Sequence, residues 1–163
     1  MNTDIIKSLH EQWKAVKASA EMANRRNGNH DMADRLHDCA MFTGKETSVK
    51  EIARLFSSPG GIEFCMATGW PNLATLRMFK QDNVEKYGIY IDAGTITLHN
   101  PKVAILIGRT TATIKCDETE RHEVVALHGA SVTILASKWT VVHASCGFGA
   151  TMARRTTDNA VIL

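Results

Sequence analysis

No apolar run in this chain approaches the length of a membrane span: the longest, Val103 to Ile107, is far short of the roughly 20 residues that a helical crossing takes. No C-x-x-C pair occurs either. Cys39, Cys65, Cys116 and Cys146 are dispersed among apolar or small neighbours, which argues against a dense secreted-type disulfide framework and for four small hydrophobes in a core. Charge of one sign is scarce as well. With 19 Lys and Arg against 17 Asp and Glu the net charge is +2, and proteins that bind nucleic acid by neutralising phosphates usually concentrate far more cations. The opening residues, "MNTDIIKSLHEQWK", break their apolar positions with Asp4, Lys7, His10 and Glu11, so they form no signal-peptide core. The expectation is a cytoplasmic protein with no membrane partner.

What is present divides into two halves of different period. Ile6, Leu9, Trp13, Val16, Ala20 and Ala23 step by three and four, which predicts a helix with Asp4 as its N-cap and "NRRNGN" as its stop. A second helix is expected over Asp31 to Met41. A third starts at Ser48, where Ser48 and Glu51 have capping-box spacing, and "SSPGG" ends it. Short helices over Ile62 to Ala67 and Asn72 to Lys80 follow, separated by the Gly69-Trp70-Pro71 break.

After Tyr87 the period falls to 2, and "GIYIDAGTITL", "KVAILIG", "TATIKC", "EVVALHG", "SVTILAS" and "WTVVHAS" each suit a strand. Ile96 and Leu98, Ala104 and Leu106, Ala112 and Ile114 hold equivalent places about eight residues apart; Val124 and Ala126, Val132 and Ile134, then Thr140 and Val142 resume the beat. Short insertions around "DETER" and "ARRTTD" interrupt it. Hairpin dipeptides such as Asn-Gly do not recur at the corners, so strands this short are better stacked in parallel coils than folded back on each other. The expected fold is α+β: a helical subdomain or cap over residues 1–86, then an all-β domain over 87–163 that forms a short parallel β-solenoid. A β-sandwich or roll is the alternative, since sandwiches also space their strands evenly. In architecture the tail resembles β-solenoid, or β-helix, proteins; the resemblance carries no family motif and transfers no functional residue.

The chemistry-bearing residues form no familiar signature. His122-Glu123 begins H-E-x-x-H, but Ala126 stands where the second histidine belongs and the segment is strand-like. Gly147-Phe148-Gly149 lacks the third small residue and the following helix of a dinucleotide loop, Gly44-Lys45 belongs to no Walker A loop, and an eight-residue beat is not the hexapeptide of solenoid acyltransferases. No cofactor and no metal are expected. Cys116, His122, His128 and His143 are weak candidates for a Cys/His-dependent hydrolase or transferase, with Cys116 and His128 facing inward and His143 outward in the octad register.

Residues 48–80 have a helix, glycine turn, helix cadence, and an alternative reading makes the chain a DNA-associated regulator with Lys50, Arg54, Arg77 and Lys80 on phosphates. Trp13, with Leu9 and Val16 on the stripe of the first helix, would anchor either a core or a helix-helix interface. The leading expectation is a non-enzymatic interaction or assembly module that presents a rigid solenoid face to a protein partner or to a second copy of the chain, masking or inhibitory proteins included.

Overall fold

The computed structural model describes residues 3–163. The chain divides into two compact units, one ending at Pro71 and one running from Asn72 to Leu163.

The first unit holds four helices: α1 (Thr3–Arg26), α2 (His30–Asp38), α3 (Val49–Ser57) and α4 (Pro59–Thr68). The apolar stripe of α1 buries Ile6, Leu9 and Trp13, and the Trp13 ring lies 6.1 Å from both Phe42 and Phe64. α1 begins at Thr3, so Asp4 sits inside the first turn, where its charge suits the helix dipole, and does not cap it. α2 ends three residues earlier than its apolar pattern extends, because Cys39 turns to extended backbone and gives its carbonyl to Lys17 Nζ at 2.6 Å. The capping box forms as the spacing predicts: Ser48 Oγ accepts from the Glu51 amide at 3.3 Å while the Glu51 carboxylate accepts from the Ser48 amide at 3.1 Å. "SSPGG" does more than stop α3. Ser58 closes that helix and caps α4, with Pro59 in its first turn, where a missing N–H leaves no helical bond unmade.

The second unit opens with a short helix, α5 (Leu73–Arg77), and two 3₁₀ turns, Lys80–Asp82 and Val84–Tyr87. Nine strands follow, β1 (Ile89–Ile91), β2 (Gly94–His99), β3 (Val103–Ile107), β4 (Thr110–Cys116), β5 (Arg121–Leu127), β6 (Ser131–Ala136), β7 (Val141–Gly147), β8 (Thr151–Thr156) and β9 (Val161–Ile162). All pairings are parallel. The odd strands make one sheet in the order β1-β3-β5-β7-β9 and the even strands a second in the order β2-β4-β6-β8, so the chain winds through about four turns of a two-sided β-solenoid. No sandwich or roll is formed.

The interior is built of rows that run along the axis, one residue per turn. Ile96, Ala112, Val132 and Met152 make one; Leu98, Ile114, Ile134 and Arg154 another; Ala104, Val124 and Ala144 face them from the odd sheet. Small residues alternate with branched ones so that two sheets can close on a thin core.

The octad beat describes only the first coil. Gly94 pairs with Thr110, sixteen residues on, but Thr111 pairs with Ser131, and Ser131 with Thr151, twenty residues on. The added four are the long corner at 117–120, which recurs at 137–140 and 157–160; "DETER" belongs to this corner, and the residues of "ARRT" are the strand β8. The expected pair Thr140 and Val142 is corrected accordingly to Ala144 and Cys146, which follow Val124 and Ala126 in register.

Corners are fastened by polar ladders. At the long corner Asn100 Nδ2 donates to Asp117 Oδ1 at 2.8 Å, Lys138 Nζ to Asp117 Oδ2 at 3.0 Å, and the Lys138 amide to Asp158 Oδ2 at 3.0 Å. Asn100, Lys138 and Asp158 all take positive φ there, which Asn and Asp tolerate better than most residues. Thr140, fully buried, hangs its hydroxyl on the Glu118 carbonyl at 2.9 Å. Before β1, Gly88 has φ +80 and approaches the Val103 carbonyl so closely that no Cβ fits.

Candidate interaction surfaces of the β-solenoid

The residues singled out from the sequence fall into distinct environments. Cys116 does point into the core, 1 % exposed, and burial together with the neighbouring Asp117 charge pushes its thiol up to about 11. His122 is completely buried at the start of β5; its Nδ1 lies 2.8 Å from the Pro101 carbonyl and its Nε2 has no partner. His128 does not face inward. It occupies the short corner after β5 with φ +53, half-buried, its ring stacked on Phe148 at 5.3 Å one coil further on. His143 alternates with the inward Val142 and Ala144 and so faces outward beside Glu123. All four cysteines are free, and among the described residues no group of three or more His, Cys, Asp or Glu is placed to hold a metal ion.

On α1, Leu9 and Trp13 are 1 % and 4 % exposed and Val16 is half-buried, so the contacts of the first two are made inside the chain. Lys50 and Arg54 are exposed on α3. Arg77 and Lys80 lie beyond the unit boundary and are engaged. Arg77 donates from Nε and Nη2 to the two oxygens of Asp92 at 2.7 and 3.1 Å, and Lys80 Nζ to the Asp92 carbonyl at 2.8 Å. Asp92 also accepts from the Arg109 amide at 2.8 Å. Its carboxyl is held at about 2, chiefly by the Arg77 hydrogen bonds.

Surfaces that sequence reasoning did not single out stand out once the register is known. On the outer side of the odd sheet Ile105, Ile107, Val125 and Leu127 are buried, so β3 and β5 are covered on both faces. These apolar columns end at Ser145 and Gly147 in β7, and a separate group of apolar side chains stands uncovered on the same side, in the column that Arg121 begins and beside it. Val141 and Val161 are adjacent in register and 36 % and 45 % exposed, and Leu163 is 57 % exposed. Trp139, 67 % exposed, lies two residues before Val141 with the inward Thr140 between them. Twenty-residue spacing is the signal that places Val141 and Val161 side by side, and the octad beat hides it.

The outer side of the even sheet is polar. Its columns read Thr95, Thr111, Ser131, Thr151; then Thr97, Thr113, Thr133, Ala153; then His99, Lys115, Leu135, Arg155. No carboxylate stands on this face. Comparison with protein-family models, with curated proteins and with solved structures finds no match to this chain.

Proposed function

We propose that the chain is a non-enzymatic interaction or assembly module, in which the β-solenoid is a rigid support for a docking face. The observation that carries this reading is the exposed apolar strip of Trp139, Val141, Val161 and Leu163, in which parallel pairing sets Val141 beside Val161 and Trp139 stands in the adjoining corner. A tryptophan this exposed beside β-branched neighbours is the composition of an interface anchor, and parallel pairing fixes the two valines before any partner arrives, which lowers the entropy lost on binding. A protein partner, a second copy of the chain, or a target that the strip masks all fall within this class.

The two other readings gain less. For DNA association, half of the cations expected on phosphates, Arg77 and Lys80, already serve Asp92, and α5 has only five residues. For Cys/His chemistry, a buried thiol raised to about 11 supplies almost no thiolate at neutral pH.

The test compares the wild-type chain with a Trp139→Ser, Val161→Ser variant by light scattering over a range of concentrations, and by capture of partners with each as bait. Circular dichroism melting controls for folding. Self-association or a captured protein that is lost in the variant supports the reading. Identical behaviour of two folded proteins removes it.

A further inference from the structure

Along one margin of the even sheet runs a groove of about 570 Å³, bounded on one side by His99, Lys115, Leu135 and Arg155 and on the other by long-corner residues that include Ser137 and Thr157. It follows the solenoid axis. His99 and Lys115 are neighbours in register, Leu135 follows Lys115 and Arg155 follows Leu135, so the wall is a ladder with about 4.8 Å between rungs. Lys115 and Arg155 place cations on the second and fourth rungs, His99 an imidazole on the first and Leu135 an apolar side chain on the third.

These cations have no counter-charge. Among the described residues no acidic side chain and no carbonyl receives a hydrogen bond or ion pair from the side chains of Lys115, Arg155 or His99, and Lys115 and Arg155 are exposed. The one carboxylate that lines the groove, Asp117, is committed elsewhere: its oxygens take Asn100 Nδ2 and Lys138 Nζ. Across from the cations, Ser137 and Thr157 offer hydroxyls that can donate to a carbonyl or accept from an amide. The groove is therefore positive along one wall, hydrogen-bonding along the other, straight and several rungs long.

We infer that this groove takes an extended acidic polypeptide segment, with carboxylates on Lys115 and Arg155, an apolar side chain over Leu135 and its main chain toward Ser137 and Thr157. The inference rests on the interaction-module reading and names a second, chemically different partner surface on the same solenoid. Charge complementarity calls for an anion, and the alternation of cation, Leu135 and cation calls for one that carries apolar groups between its charges. A nucleic-acid strand fits less well: no Phe, Tyr or Trp lines the groove to stack a run of bases, His99 alone supplies a ring, and so few cations release few counterions.

A fluorescein-labelled peptide of glutamate and threonine with one central leucine, titrated with the full chain at low salt and followed by anisotropy, tests the inference. Saturable binding is expected, weakening as salt rises. Glutamine in place of the peptide's glutamates, or the Lys115→Gln, Arg155→Gln substitutions in the protein, should weaken it by roughly tenfold or more. Both substituted side chains are exposed, so the melting curve should not move. Absence of binding, equal binding by the doubly substituted protein, or tighter binding of oligothymidylate or dextran sulfate at the same salt overturns the inference. The Trp139→Ser, Val161→Ser variant run in parallel separates the two claims. Loss of the groove result alone leaves the Trp139-dependent reading standing, and loss of the Trp139 effect alone leaves the groove.

Discussion

Arg154 lies directly beside Ile134 in the parallel register of β6 and β8, in the inward row that Leu98 and Ile114 begin. Ile134 is fully buried, whereas Arg154 is exposed and reaches back to donate from Nη2 to the Ala144 carbonyl at 3.2 Å. The even sheet ends at β8, whose outer edge has no strand beside it in the sheet. An inward-pointing charge at that place breaks the apolar row that another strand would have to continue, a known way of blunting a sheet edge.

Exchanging the two chemistries gives opposite outcomes. Ile134→Asp puts an unpaired carboxylate in the interior and is expected to destabilise the solenoid by about 4 kcal/mol or more, visible as loss of the cooperative urea transition. Arg154→Ile completes the row and should leave the monomer folded while promoting concentration-dependent association in light scattering. A soluble monomeric Arg154→Ile protein at high concentration would show that the arginine is not what guards the edge.

Asp92 predicts a pH dependence. Its folded value of about 2 lies below the ordinary 3.8, because the Arg77 hydrogen bonds outweigh the opposing effect of burial and the Arg109 amide and nearby charges add to them. A lowered folded value means that the stabilisation is complete above the unfolded value and drains away as the pH falls from about 4 through about 2. Urea titrations over that interval should show Asp92→Asn less stable than wild type near neutrality, by about 1–2 kcal/mol, with the gap closing as the medium is acidified. A gap that does not change with pH would assign the loss to packing and not to the ion pair.

Gly88 is expected to tolerate no side chain. Its φ is +80, and a Cβ would strike the Val103 carbonyl. The same residue accepts the Ile105 amide at 2.8 Å, so relief by movement would tear the first rung. Gly88→Ala should lower stability by about 2–3 kcal/mol, whereas Gly129→Ala, with nothing within 4 Å of its Cβ, should lose only the backbone strain of its positive φ. Thermal melts of the two proteins side by side check the ranking.

The cysteines should separate into two kinetic classes. Cys65 and Cys116 are buried with thiols at about 11, while Cys39 and Cys146 are partly open to solvent. Under native conditions a thiol reagent is expected to label Cys39 and Cys146 first and the other pair only on unfolding, as mass spectrometry of the labelled peptides would show. Fast native labelling of Cys116 would revive it as a nucleophile.

Local patterns were legible in the residues where one periodicity acted alone. The stripe of Ile6, Leu9 and Trp13 and the Ser48 and Glu51 box are short-range signals, and the structure realises both. The parallel solenoid was legible from strand spacing and from the absence of hairpin turn residues. The coil length was not: the sixteen-residue first coil supplies three consecutive octads, Ile96, Ala104 and Ala112, before the long corner lengthens, so the early residues teach the wrong period. Helix boundaries moved where a tertiary partner intervened, as Lys17 does at Cys39. The surfaces were hidden for the same reason as the coil length. Val141 with Val161, and Lys115 with Arg155, become neighbours only when the twenty-residue step is known.

The change from sixteen to twenty residues leaves β3 with β5, and β4 with β6, in unbroken parallel register, so the even-to-odd turn accepts four additional residues while the two sheets stay aligned. Chain length at this turn and alignment of the strands are thus separate variables. Foreign loops spliced between Glu118 and Thr119, both exposed, would be displayed outward on a fixed lattice, which makes the fold a natural frame for grafted epitopes.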